Sequence, residues 1–316
     1  MKKVSPILLL FLVLIISIVI SVSLGTHYVS LSEILFSSKW SEIIISIRLP
    51  RILNAVSVGG LLALAGLMIQ NLVKNPLADP YILGISGASA SVQLALIALG
   101  ISMPFWLFVA SGFVAALLSL GLLLLLSSKK SINTQNLLLS GVVIAFAYGA
   151  IISLILTLSP SASTKPMLFW LMGDLGYSTT LVYPLVVLLL GCLWAYKYNK
   201  ELDLLARGEL FALKCGVDVK KINFVILMTT SVFTALAVSM AGTIGFIGLV
   251  VPHLARLLVG NVHAKLIPLS VLIGAIVLLL ADTLARTIVA PIQLPVGVFT
   301  AFFGVPVFIW LLRKKV

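Results

Sequence analysis

Long apolar runs without charge dominate the chain. Residues 4–26, 52–73, 80–128 and 175–196 contain no Asp, Glu, Lys or Arg. A helix needs only about 20 apolar residues to cross the hydrocarbon core of a membrane, so the pattern predicts an all-α, polytopic membrane protein. Strands of an outer-membrane barrel would alternate apolar and polar positions over about ten residues. These runs are apolar on every side, which excludes that architecture. Dividing them at Gly, Pro and polar breaks predicts ten transmembrane helices, near 6–25, 52–72, 81–99, 105–127, 136–158, 180–196, 222–241, 246–259, 266–288 and 297–312. The 49 uncharged residues from Pro80 to Ser128 cross twice, turning near Gly100 to Pro104. The 34 uncharged residues from Ile222 to Ala255 would form one helix of about 51 Å, too long for one crossing and too short for two. Gly242, Gly245 and Gly248 place a break there, followed by a short helix.

An even number of crossings puts both termini on one side, and the basic residues choose the side. With the termini inside, 16 of the 21 Lys and Arg residues face the cytoplasm, and only Lys39, Arg48, Arg51, Lys165 and Arg286 lie outside. The expected orientation is N-in and C-in. The same bias accounts for the net charge of +12 without a nucleic-acid partner. Composition agrees: 61% of residues are hydrophobic and 9% charged, against roughly 45–50% and 25% in soluble domains. At the N-terminus, Met1-Lys2-Lys3 precedes 18 apolar residues from Ile7 to Leu24. That exceeds the roughly 7–15 of a signal peptide and no A-x-A site follows, so the segment reads as an uncleaved first helix. Residues 1–316 form a single membrane domain. Its largest cytoplasmic loop, 197–221, carries six basic and four acidic residues and reads as a folded docking surface.

Chemical motifs are sparse. Cys192 lies in an apolar run and Cys215 in the basic loop, which suits two free thiols. There is no Cys/His cluster with zinc spacing, no phosphate loop, no G-x-S-x-G and no H-E-x-x-H. No metal or cofactor is expected, and any ATP is bound by another chain. Asp282, late in the ninth helix, is costly in a membrane and marks either a functional site or a self-neutralising pair with Arg286 one turn later. His253 follows Pro252 and has no second ligand at helical spacing, so the preferred reading is a structural histidine bonded to backbone freed by the proline. Gly59, Gly60, Ala63 and Gly66 line one face of the second helix and signify close helix packing.

Several motifs in fixed order carry a family resemblance. Arg48-Leu49-Pro50-Arg51, Gly66-Leu67-Met68-Ile69-Gln70, Asn75-Pro76-Leu77-Ala78-Asp79-Pro80 and Gly84-Ile85-Ser86 come first. The stretch Gly242 to Arg256, then Ala281-Asp282, Leu294-Pro295-Val296-Gly297 and Gly304-Val305-Pro306 follow. From residue 46 onward the chain resembles permease subunits of ATP-binding-cassette importers for iron-siderophores, haem and cobalamin. Three positions depart from the family pattern: Gln293 where Glu is usual, Val262 where an acidic residue is common, and Cys215 where Leu is usual.

The resemblance implies ten helices with both ends cytoplasmic, two paired permease subunits, two ATPase subunits beneath and an extracytoplasmic substrate-binding protein outside. It implies no enzyme activity in this chain, a multi-pass location in the bacterial cytoplasmic membrane, and alternating access for an iron-siderophore or related metal-chelate. Haem or cobalamin is the alternative cargo. A nucleotide-independent secondary transporter is a rival that has no need of a docking loop, and an intramembrane enzyme is disfavoured because no reactive groups cluster at membrane depth. By the same resemblance, Gly208, Glu209, Ala212 and Gly216 form the ATPase-coupling contact. Thr134 and Gln135 belong to a cytoplasmic gate at a two-fold axis. Arg48, Arg51 and Arg286 meet acidic side chains of the binding protein.

Overall fold

The computed structural model describes residues 6–25, 28–30, 41–127, 134–176 and 183–313. Among these, every regular element is a helix. Those of six residues or more are, in order, α1 (Pro6–Ser23), α2 (Leu49–Val73), α3 (Ile85–Ala98), α4 (Phe105–Ser127), α5 (Thr134–Leu158), α6 (Ser161–Leu171), α7 (Tyr183–Lys197), α8 (Asn199–Ala206), α9 (Glu209–Lys214), α10 (Val219–Ala241), α11 (Ile247–Val259), α12 (His263–Thr287) and α13 (Val296–Arg313); a short helix Ser41–Ile43 and a π-helical turn Ile44–Arg48 lead into α2, and a 3-10 turn Pro80–Leu83 precedes α3. Each of the ten apolar runs becomes a helix. Among the described residues, six helical spans are long and apolar enough to cross a membrane, while α3, α7, α11 and the stretch Val296–Leu311 of α13 are apolar but shorter. Among the described residues, three of these numbered helices lie outside the ten expected from the apolar pattern: α8 and α9 in the docking loop, and α6, whose polar start Ser161-Ala162-Ser163-Thr164-Lys165 hides it.

At the centre is α2. It is apolar on all sides because it is walled on all sides, by α12, α10, α11 and α7. The small-residue stripe explains how backbones come so close. A Cβ on Gly59 would lie 2.3 Å from the carbonyl oxygen of Gly274 in α12, and one on Gly66 only 1.8 Å from that of Gly248 in α11. Gly60 admits Leu188 of α7. Gly66→Ala is therefore expected to lower stability by at least about 2 kcal/mol, since backbone rather than a flexible side chain must yield. The measurement is the thermal unfolding midpoint in detergent, which Leu8→Ala on the exposed face of α1 should leave almost unchanged.

Helices α2 and α12 run antiparallel, each 25 residues or about 37 Å long. Arg51 faces Asp282 at one end, and Asn71 faces His263 at the other. These two ends, called here the Arg51 end and the Lys74 end, organise the polar chemistry of the molecule.

The glycine break falls where expected, after Ala241. Gly242 has φ 73° and its missing Cβ makes room for the carbonyl of Trp170, whose oxygen would lie 1.9 Å from a Cβ built there. The unwound stretch 242–246 then descends steeply. The Asn54 amide donates to the carbonyl of Met240, whereas Gln70 donates to those of Gly248 and Leu249. Asn54 and Gly66, the α2 residues beside Met240 and Gly248, are about 18 Å apart along the helix, more than the roughly 12 Å that eight residues would rise as a helix. Helix α11 thus begins deep in the bundle.

Candidate functional site

At the Lys74 end, residues 198–217 fold as two short helices against the core. Leu202 and Leu205 of α8 are buried beneath it. Gly208, at φ 118°, turns the chain into α9, and Gly216, at φ 82°, ends that turn. A Cβ at either position would meet nothing within 4 Å, so backbone conformation and not space requires glycine there. Glu209 pairs with Lys74 at 2.9 Å, tying α9 to the end of α2. Ala212, expected to face a partner, is fully buried within the chain and supports α9 from behind. The side chains presented outward are Leu210 (77% exposed), Phe211 (41%) and Leu213 (54%). An apolar patch on a short helix within a charged loop is the signal that would have identified them in the sequence.

Between the two ends, the unwound stretch is held from two sides. Tyr81 Oη donates to the carbonyl of Ile244 and accepts from its N–H, at 3.1 and 3.0 Å. Thr243 donates to the carbonyl of Leu171 at the end of α6. Asp79 caps the turn Pro80–Leu83 that carries Tyr81, accepting from the Tyr81 N–H at 2.8 Å. Burial pushes its carboxyl up to about 6, against the opposing pull of that hydrogen bond. Non-helical backbone at membrane depth is tolerated where it is buried in protein or lines a cavity, and this stretch is both bonded to neighbouring protein groups and set beside a cavity. Thr243, Gly245 and Phe246 border a cavity of about 790 Å³ together with Met172, Gly297 and Phe302. Apart from Thr243 the lining is apolar, with small residues beside the rings of Phe246 and Phe302, and it holds no acid or base. Among the described residues no group of three or more His, Cys, Asp and Glu is placed to hold a metal.

Pro252 has no N–H, so the carbonyl of Gly248 one turn earlier loses its helical donor. Gln70 supplies the replacement at 3.3 Å and is itself bonded through its oxygen by Arg256. The backbone freed by the proline is thus satisfied by Gln70 and not, as expected, by His253, whose Nε2 has no hydrogen-bond partner among the described residues.

At the Arg51 end, Asp282 is fully buried and receives both Arg51 Nε and Arg286 Nε at 2.9 Å, one on each oxygen. Arg51 also donates to Gln293 at 2.9 Å, so the amide oxygen occupies the place that the resemblance gives to a carboxylate. Arg286 reaches Ser21 of α1 at 2.8 Å, and Arg48 donates to the carbonyls of Val22 and Ser23. Arg48, Arg51 and Arg286 are 6%, 8% and 5% exposed. The arginines expected to face a partner have internal acceptors and tie α1, α2, α12 and the segment before α13 together. The Asp282–Arg286 pair is legible one turn apart, whereas Arg51 joins it from 231 residues away.

Of the expected gate, Gln135 is exposed at the start of α5. The side chain of Thr134 and all of residues 129–133 lie outside the described residues.

Apolar helices around a buried central helix, an unwound wall on a cavity without reactive groups, and a folded loop with an outward apolar patch define a membrane permease subunit. Residues 13–314 match the model of the FecCD transport family, and the chain belongs to that family. The hemin transport system permease HmuU of Yersinia pestis is 35% identical, with 99% of this chain and 97% of that protein covered. The vitamin B12 import system permease BtuC of Citrobacter koseri is also 35% identical, covering 97% and 93%. A solved metal-chelate type ABC transporter in an inward-facing conformation superposes with a TM-score of 0.85 at 31% identity, over 98% of both chains. The chain is a transport component and not an enzyme; ATP hydrolysis belongs to a separate subunit.

Proposed function

We propose that this chain is the permease subunit of an ATP-driven importer that moves an iron-siderophore or a related metal-chelate by alternating access. The observation that carries this reading is α9. Three apolar side chains face outward from a loop that is otherwise charged, on a helix set by two glycine turns and bonded to the end of the central helix. Such a surface suits a cleft in an ATPase subunit. On this reading the Lys74 end is cytoplasmic, the chain crosses the bacterial cytoplasmic membrane about ten times with both termini inside, and two copies or related chains pair around a central passage. Two ATP-binding-cassette subunits bind beneath and a substrate-binding protein docks at the Arg51 end.

The cavity beside the unwound stretch supports a bulky cargo that slides over apolar and small groups without being gripped. Haem or cobalamin is the second reading, favoured by the names of the hemin and vitamin B12 relatives. Asp282 is unsuited to carrying a proton through the membrane, because it is fully buried with a guanidinium group on each of its oxygens, which weighs against a nucleotide-independent transporter. For the binding protein, Arg48, Arg51 and Arg286 contribute positive charge just beneath the surface, drawing an acidic partner by their field more than by exposed forks. Thr134 and Gln135 stand at the cytoplasmic mouth as the gate. Co-purification tests the core of the reading. The tagged permease is expected to bring down an ATP-binding-cassette subunit from its own cell in stoichiometric amount, and isolation of the permease free of any such subunit under cross-linking conditions contradicts it.

A further inference from the structure

Where the docking helices join the core, one carboxylate serves two donors. Asp203 of α8 accepts from the backbone N–H of His263, the first residue of α12, at 2.8 Å, and from His263 Nδ1 at 2.6 Å. Val262, at the N-cap position of α12, makes no side-chain cap. Asp203 therefore caps α12 from a different element and places a carboxylate at the positive end of its dipole. A carboxylate only accepts, so Nδ1 carries the proton and Nε2 of the neutral ring is an acceptor. Facing that nitrogen, at 3.4 Å, is the side-chain amide of Asn71 on α2, which also lies 3.2 Å from the carbonyl of Leu202. His263 is 3% exposed, and Leu202 and Leu205 of α8 are buried as well. The Lys74–Glu209 pair, which joins α9 to the end of α2, is half in water, where an ion pair holds weakly.

We propose that Asp203 is a positioning residue for coupling. Through His263 and Asn71 it makes α8, α12 and α2 move as one body, so that displacement of the docking helices enters the core without slack. The continuation is visible in the contacts. α12 and α2 touch backbone to backbone at Gly59 and Gly274, and α2 grips the start of α11 through Gln70. A push on α8 thus ends at the unwound wall of the cavity. The proposal rests on the ATPase-docking reading above, and the test separates the two.

The test uses the complete complex in proteoliposomes and reads cargo taken up per ATP hydrolysed. Asp203→Ala is expected to lower this ratio by about tenfold, within the range of ordinary allosteric couplings, while affinity for the ATPase and the rate of ATP hydrolysis are retained. Asp203→Asn keeps an acceptor oxygen for both donors and is expected to recover most of the ratio. A merely structural role would lower the thermal midpoint and leave the ratio of the surviving protein intact. In the unmutated complex, spin labels at the exposed positions Ala206 and Lys265 are expected to keep a constant separation across nucleotide states while both move against the Arg51 end. This second readout stands even if Asp203→Ala fails to fold. An unchanged uptake ratio in Asp203→Ala, or α8 moving while α12 stays, overturns the joint and leaves the importer reading intact. Absence of ATP-driven uptake in the unmutated complex overturns the importer reading and the joint with it.

Discussion

Replacing Leu210 and Phe211 together by Asp is expected to weaken binding of the ATPase subunit by at least about 30-fold and to abolish uptake, with the permease still inserted and folded. Leu210, 77% exposed, has little packing of its own to lose, and Phe211, 41% exposed, has the Arg207 guanidinium 5.8 Å from its ring centroid. In a desolvated contact, each has the character of an interface residue worth about 2 kcal/mol or more. Ala212→Asp should behave differently. That side chain is fully buried inside the permease, so a carboxylate there lowers the thermal midpoint of the isolated protein before any partner is added. Gly208→Trp and Gly216→Trp belong with the first pair in outcome but not in cause: their positive φ values tilt α9 out of register by backbone strain. The measurement is the ATPase-binding isotherm in nanodiscs alongside thermal melts of the permease alone. Wild-type affinity in the double Asp variant would remove α9 as the docking element.

The second large effect is expected at Asp282. Asp282→Ala strands two buried guanidinium groups and is expected to cost about 3–5 kcal/mol, because an uncompensated buried charge costs more than the intact pair contributes. Removing the arginines as well, as Arg51→Met with Arg286→Met and Asp282→Leu, should restore most of the loss. Thermal midpoints and the yield of monodisperse protein report both changes. Because Ser21 accepts from Arg286 and Thr283, the single Asp282 variant should also loosen α1, seen as faster proteolysis at the α1 end. A single variant as stable as the parent would mean that the ion cluster is not a clasp.

Much of the fold is legible in the amino-acid sequence itself. Charge-free runs mark the helices because a membrane helix is apolar both on the face turned to the core and on the face turned to lipid: α2 is buried almost throughout, whereas α5 is largely exposed and equally apolar. The run from Ile222 to Ala255 announces its own break, since its length fits neither one crossing nor two and Gly242 alone accepts the carbonyl of Trp170. The stripe Gly59, Gly60, Ala63 and Gly66 signals packing for the same reason. Direction is less legible. Within α9 the sequence does not say that Ala212 turns in while Leu210 turns out, because a helix of six residues is too short to show a periodicity. Arg48, Arg51 and Arg286 read as outward charges, yet acceptors from distant parts of the chain claim them. Gln70 and Pro252 meet only because α2 and α11 lie side by side, and nothing local to either residue points to the other. Asp203 and His263 are hidden in the same way, since a cap supplied from another helix leaves no local spacing to read.

The central claim is that this chain moves a chelate inward only when an ATPase acts on the docking helices. The most direct measurement is uptake into proteoliposomes that contain the permease with its ATP-binding-cassette subunits, with the substrate-binding protein on the Arg51 side and ferric-siderophores, haem and cobalamin offered in parallel. The expected result is accumulation of one chelate class that requires ATP on the Lys74 side and disappears in the Leu210→Asp, Phe211→Asp variant. Accumulation without nucleotide, driven by an imposed proton or sodium gradient and indifferent to that variant, would contradict the account.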